Sequence, residues 1–184
     1  MEMNKTIKGA RVALRYLEER DAEAFVDMHR RNRDFFQPFL YERGEEFYTA
    51  AYQVEQFRKS KAMAENDEKY AYGIFLRETN DLIGMISLSQ VTRGPLQSCW
   101  VGYYLDQRHN GRGYVSEALR LVVDFAFNDL KLHRVEAGVM PHNAKSIQVV
   151  EKAGFEREGL NKKNVFLNGQ WQDHLHFAIV NPND

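Results

Sequence analysis

The sequence of 184 residues holds one cysteine, Cys99, so it can form no intrachain disulfide. A lone thiol inside the strand-like run "SCWVGYYL" reads as a packed residue rather than a nucleophile, which argues against thiol catalysis. Excess charge is missing as well: 25 lysines and arginines stand against 26 aspartates and glutamates, a formal net charge of -1. A protein that neutralises phosphate backbones carries a basic surplus, so no direct nucleic-acid partner is expected. No apolar run approaches the roughly 20 residues that cross a bilayer, and the opening "MEMNKTIKGARVAL" lacks the apolar stretch of a signal peptide. These absences lead to the expectation of a soluble, cytoplasmic protein with no membrane partner. Linkers, repeats and low-complexity tracts are also missing. At 43% hydrophobic residues the chain can bury a real core, and its length suits a single domain over 1–184.

What is present is an alternation of strand and helix patterns. "RVALRYL" alternates, and Asp21 then sits where an N-cap would precede a helix carrying Ala22, Phe25, Val26 and Met28. Between 45 and 69, Phe47, Ala50, Ala51, Val54 and Phe57 recur at helical spacing, which predicts a second helix. "YAYGIFLRE", "LIGMISLSQV" and "SCWVGYYLD", separated by "TND" and "RGP", predict an antiparallel meander. A long helix over about 114–130, the strand "RVEAGVM", a shorter helix over 144–153 and two strands turning at Asn168-Gly169 complete the order. This is an α+β domain around a mostly antiparallel mixed sheet of about seven strands with four helices.

The stretch "RHNGRGYVSEALRLVVDFAF", residues 108–127, places Gly111 and Gly113 at the entrance of the long helix. Glycines there let backbone N–H groups approach a ligand, and the free amides and positive dipole end of a helix start favour a phosphate-type anion. Arg108 and Arg112 add charge; the plainer reading is a tight strand-to-helix turn with two solvated arginines. A Walker loop would need lysine after its last glycine, where this chain has Tyr114. A dinucleotide fingerprint would need a small third residue at Ser116 and an acidic residue ending a following parallel strand, which the element order does not supply.

The loop does resemble the Q/R-x-x-G-x-G/A loop of the GNAT acyltransferases, in two registers. "RHNGRG" matches from Arg108, and "NGRGYVSEA", read from Asn110, is similar to the "QGKGYATEA" pattern of the ribosomal-protein N-acetyltransferase (RimJ/RimL) branch. The second continues into the helix and is preferred, with Asn110 in place of glutamine and Val115 in place of a small residue. "RVALRYLEERDAEAF", "YGIFL", "LIGMISL", "WVGYYLD", "MPHNAKSIQVVEKAGFEREG" and "NGQWQDHLHFAI" resemble further segments of that branch, in the same order along nearly the whole chain.

The resemblance implies an acetyl-CoA-dependent N-acetyltransferase that needs no metal. It places acetyl-CoA between "WVGYYLD" and "RVEAGVM", with Tyr103 and Leu105 lining it and its pyrophosphate on residues 110–115, that is Asn110, Gly111, Arg112, Gly113, Tyr114 and Val115. A backbone N–H between Val101 and Tyr103 would stabilise the oxyanion. Asn143 would contact the pantetheine arm and Ser146 would protonate the departing thiolate, although from the residues alone Asn143 is a helix N-cap and Ser146 a first-turn residue. Relatives carry a general base where this chain has Trp100 or Val165; Glu136, His142, His174 and His176 remain as candidates. In "FFQPFLYERGEEFY", Phe35, Phe36, Phe39 and Tyr41 read as core, and a carboxylate cluster of Glu42, Glu45 and Glu46 would suit a cationic amine. The acceptor implied is a protein N-terminus, such as that of a ribosomal protein, or a small amine. A non-catalytic CoA-binding module is the alternative from another class, and homodimerisation stays open.

Overall fold

The structure is a computed structural model that describes residues 6–184. Eight strands form one sheet: β1 (Ile7–Lys8), β2 (Val12–Arg15), β3 (Tyr70–Leu76), β4 (Leu82–Thr92), β5 (Ser98–Leu105), β6 (Arg134–Val139), β7 (Glu156–Leu167) and β8 (Gln170–Val180). Their spatial order is β1-β2-β3-β4-β5-β6-β8-β7, and every neighbouring pair is antiparallel except β5 with β6. The helices are α1 (Ala22–Arg31), the single turn α2 (Arg33–Phe36), α3 (Ala50–Glu65), α4 (Tyr114–Asn128) and α5 (Ala144–Lys152). The sheet thus exceeds the expected seven strands by the two-residue β1, and the helices exceed four by the one-turn α2.

β3 is buried along nearly its whole length because helices cover both faces of that half of the sheet, so its sequence is a continuous apolar run rather than an alternation. α4 fills the larger core with Ala118, Leu119, Val122, Val123 and Ala126, a 3.6-residue stripe against Val12, Leu88, Cys99 and Val135. On the opposite face α1 lays Phe25 and Met28 over Phe75 and Leu82, with Phe47 and Tyr48 closing a second cluster. The other half of that face, over β5, β6 and β8, has no helix, and beyond it the edge strand β7 is largely exposed. One covered half and one bare half give the molecule its working side.

Two local expectations fail for identifiable reasons. Asp21 precedes α1 but does not cap it: its carboxylate takes both Arg15 guanidinium nitrogens at 2.7 and 2.8 Å and the Glu18 N–H at 2.8 Å. The apolar stripe predicted over 45–69 is also not one helix. Phe47 lies in a separate 3-10 turn, Thr49 caps α3, Ala51 is exposed, and the buried Gln53 donates to the Phe47 carbonyl at 2.6 Å. A polar side chain sits inside because it satisfies the carbonyl that the break in the helix leaves behind. The turn at Asn168-Gly169 is as expected, with φ of 49° and 80° at the two residues, the left-handed pair of a tight hairpin.

Candidate active site

The single parallel pair in the sheet comes apart. β5 and β6 are in register only from Ser98 to Trp100 against Arg134 to Glu136, although the strands continue to Leu105 and Val139. From Val101 onward the backbone groups of β5 that face β6 have no strand partner, so the slot can pair with an extended, amide-bearing ligand. Tyr103 crosses toward α5: its hydroxyl lies 2.8 Å from Ser146 Oγ and 3.3 Å from the Ser146 carbonyl. Burial pushes the Tyr103 phenol up to about 12, against the pull of the Ser146 hydrogen bond, so it is neutral and can donate at neutral pH. The Asn143 side chain accepts from the Ser146 N–H at 3.2 Å and caps α5.

Downstream of β5 the chain makes a 3-10 turn over Gln107–His109 and enters the glycine loop. Asn110 is extended, Gly111 has φ of +76° and Gly113 +79°, and α4 begins at Tyr114 with no side chain capping its first amides. Space above Gly111 is open, so its conformation rather than crowding calls for glycine there. At Gly113 a side chain would also meet Arg11 Nη2 at 3.2 Å.

The loop is held at both ends by residues that no sequence pattern singles out. At the exit, the Glu117 carboxylate accepts from the backbone N–H groups of Arg11 and Val12 at 2.7 and 3.2 Å and from Arg11 Nε at 3.0 Å. Arg11 Nη1 in turn donates to the Arg112 carbonyl at 2.8 Å, and its guanidinium lies over the Tyr114 ring. At the entrance, the buried Asp106 pairs with Arg31 at 2.7 Å and accepts the Arg108 N–H, while the Gln107 N–H donates to Asn32 on the α1 side. Burial raises the Asp106 and Glu117 carboxyls, but their hydrogen-bond donors and arginines outweigh it and hold both below the usual carboxylate range. Glu117 is legible as a letter of "NGRGYVSEA" but not in its role.

On the bare face of the split lie Trp100, Gly102, Glu136, Gly138, His174 and His176. Gly102 is exposed with open space where a side chain would stand. His176 Nε2 donates to Glu136 Oε2 at 2.5 Å, and its ring stacks on Trp100 with centroids 5.2 Å apart and planes at 14°. His174 meets Asn164 at 3.1 Å, and burial moves it below the ordinary histidine value. The segment 37–40 leans over this face: Asn168 of the hairpin donates to the Gln37 carbonyl at 2.6 Å, and Phe39 stacks on His142. Phe36 is core as expected, but Phe39 and Tyr41 are exposed; Glu42, Glu45 and Glu46 are exposed, with Glu45 paired to Arg33. His29, also unforeseen, is buried against Tyr104 at 2.9 Å; burial, with Arg43 nearby, lowers it to about 3 and keeps it neutral.

A mixed sheet with one splayed parallel pair, followed by a glycine loop at an uncapped helix start, defines an acyl-CoA-dependent N-acyltransferase fold. The acetyltransferase (GNAT) domain family matches residues 11–156, and the chain belongs to that family. It is an N-acetyltransferase, with acetyl-CoA as its cosubstrate. It is 48% identical over 178 residues to the probable N-acetyltransferase YjcK of Bacillus subtilis, covering 97% of this chain and 98% of that one. To the ribosomal protein uS5-alanine N-acetyltransferase of Escherichia coli it is 30% identical, covering 94% and 89%. The structure of Mycobacterium smegmatis RimJ in complex with CoA-disulfide superposes with a TM-score of 0.91 at 28% identity, over 98% of this chain and 89% of that one. Among the described residues no cluster of histidines, cysteines and carboxylates could hold a metal ion, and no helix is long and apolar enough to cross a membrane.

The sequence-predicted site residues divide into groups. Tyr103, Asn143 and Ser146 meet in one hydrogen-bonded chain beside the split. Asn110, Gly111, Arg112, Gly113, Tyr114 and Val115 form the loop and first turn, and Arg108 is exposed at the loop entrance. Leu105 is 6% exposed and packed in the core, which leaves it only a backbone contact to offer. Asn143 and Ser146 are linked, but the roles that the family resemblance implies for them differ, so their alanine variants are expected to fail differently. Asn143→Ala should raise KM for acetyl-CoA and cost about 1 kcal/mol as a lost helix cap. Ser146→Ala should lower kcat roughly 10-fold, since a thiolate is already a stable leaving group. Steady-state kinetics on both variants, with wild-type values throughout, would reduce the pair to helix capping.

Proposed function

We propose that this protein transfers acetyl from acetyl-CoA to an N-terminal α-amine, with a ribosomal protein as the class of acceptor. The observation that carries the reading is the residue at the sheet position where the family resemblance implies a carboxylate: Trp100, engaged in stacking on His176. Val165, the other such position, is exposed on the hairpin. An amine must lose its proton to attack, and the reference pKa values are about 7.8 for an α-amine and about 10.4 for lysine. That gap is worth roughly 3.5 kcal/mol at neutral pH, only partly recovered by the greater nucleophilicity of free lysine. Tryptophan rather than a carboxylate at position 100 therefore suits the more readily deprotonated α-amine. The bare Gly102 leaves open space on this face for a chain end. The uS5-alanine acetyltransferase relative supports the same acceptor class.

In this reading the amides of residues 110–115 hold the pyrophosphate, with Arg112 adding charge, and Asn143 orients the pantetheine arm. Acetyl-CoA supplies the activated thioester; the unpaired N–H groups of β5 between Val101 and Tyr103 polarise its carbonyl. Ser146, hydrogen-bonded to the neutral Tyr103, supplies a proton to sulfur. The test uses two peptides of one sequence, one with a free N-terminus and blocked lysine, the other with a blocked N-terminus and free lysine. The free N-terminus should give at least about 10-fold higher kcat/KM. Equal or better turnover of the lysine peptide, or activity confined to polyamines and other small amines, would reject an N-terminal acceptor.

A further inference from the structure

We infer that His176, positioned by Glu136, is the base that takes the proton from the acceptor amine; this rests on the acetyltransferase reading above. Two histidines, Glu136 and one tryptophan share the bare face, and of the two histidines only His176 has a carboxylate as its orienting partner. The Glu136 carboxylate can only accept, so it fixes the hydrogen of His176 on Nε2 and leaves the Nδ1 lone pair as the acceptor. Trp100 stacks flat against the ring and prevents it from turning. Register places the pair beside the split: Glu136 lies opposite Trp100 in the last paired step of β5 and β6, and His176 lies opposite Gly138, where β6 has already left β5. Gly102 is open, and over Gly138 the Trp100 ring and the His174 side chain lie 3.5 and 3.7 Å from where a side chain would begin, so the two glycines leave the ring pair as the wall of the slot.

The charge around the ring fits a group that alternates between neutral and cationic. Facing it are Glu136 and Arg134 on β6, Glu158 on β7, and His174 on β8. Arg134 is shared between Glu136 and Glu158, so two carboxylates are set against one guanidinium, and a positive ring completes the balance. His174 is a weaker candidate, since Asn164 is its partner and burial disfavours its charged form. His142 lies on the loop against Phe39.

One proton passes from the ammonium to His176 Nδ1 and then to solvent. The freed nitrogen pair forms the N–C bond while the C–S pair leaves with sulfur. The second nitrogen proton passes to solvent as the amide forms, and the leaving thiolate takes a proton from Ser146, which is re-protonated from solvent, so one proton is released for each acetyl transferred.

The protein has two tryptophans, Trp100 and the exposed Trp171, so Trp171→Phe isolates the indole stacked on His176. Protonated imidazole quenches indole emission, so Trp100 fluorescence should rise with pH through the His176 titration, without substrate. The same midpoint should govern the acidic limb of kcat/KM with a peptide amine. His176→Gln should abolish the fluorescence transition and that limb, lower kcat about 100-fold, and leave CoA affinity by calorimetry unchanged. Glu136→Gln, a positioning change, should keep the fluorescence transition and lower kcat at an unchanged KM for acetyl-CoA. If His176→Gln turned out to be misfolded, partial recovery of His176→Ala by added imidazole would support the same assignment, and no recovery in a folded His176→Ala would oppose it. Wild-type turnover with His176→Gln within twofold of it and an unchanged acidic limb would overturn the base assignment alone. A wild type that acetylates no amine would overturn both it and the acetyltransferase chemistry beneath it.

Discussion

Gly113→Val is expected to weaken CoA binding by about 100-fold while the protein stays folded. At φ of +79° a β-branched residue is strained by roughly 1–3 kcal/mol. The unliganded loop relieves that strain by relaxing, and binding must then restore it. The Cβ would also stand 3.2 Å from Arg11 Nη2, so the added methyl groups displace the guanidinium that braces the loop through the Arg112 carbonyl. A cost of about 2.7 kcal/mol is a factor of 100 in Kd. Calorimetric titration with CoA, alongside far-UV circular dichroism, gives the comparison. Gly111→Ala is the milder control, because space above Gly111 is open and only φ is penalised. Equal CoA affinity in a folded Gly113→Val protein would remove the loop from the cofactor site.

The largest stability effect is expected at Glu117. Its carboxylate, 11% exposed, receives two backbone N–H groups and the Arg11 guanidinium, and Val12 behind it is fully buried. Glu117→Ala leaves those two amides without acceptors, which should cost about 3 kcal/mol. Glu117→Gln keeps one acceptor oxygen and should cost less, about 1–2 kcal/mol. The folded carboxyl lies below its usual value, so its contribution is complete above the unfolded pKa of about 4.3 and is lost as pH falls through the folded one. Urea unfolding at pH 7 and near pH 3 should therefore show the gap between wild type and Glu117→Gln shrinking in acid. A gap that stays constant or widens would mean that the charge is not what stabilises.

Much of this arrangement is written locally. The strand and helix order, the Asn168-Gly169 turn and the glycine helix entrance follow from periodicity and from positive φ, which are properties of neighbouring residues. The split between β5 and β6 is implied only by resemblance, since no pattern within either strand records where the partner stops pairing. Arg11, Asp106 and Glu117 read as ordinary surface charges because their partners lie 106, 75 and 106 positions away. His29 is hidden for the same reason: its burial depends on Phe36, Phe47 and Tyr104 meeting around it from three separate segments. Gln53 shows the limit of apolar counting, for it is buried by a hydrogen bond to a carbonyl that only the broken helix exposes.

The Arg11–Glu117 brace ties the order of assembly to the ability to bind. Closing a loop of about a hundred residues carries an entropy cost that grows only with the logarithm of its length. Yet no part of the brace exists until β2 has docked on β3 and α4 has settled across them. During synthesis the first strand must wait for residue 117 to emerge, so the glycine loop passes through a period with its sequence complete and its support absent. With the proposed cofactor site on this loop, capture reports finished topology rather than local loop structure, and by linkage bound acetyl-CoA stabilises the docked β2 by RT ln(1 + [L]/Kd). β2, far from the splayed ends of β5 and β6, is thereby drawn into the same cooperative unit as the glycine loop.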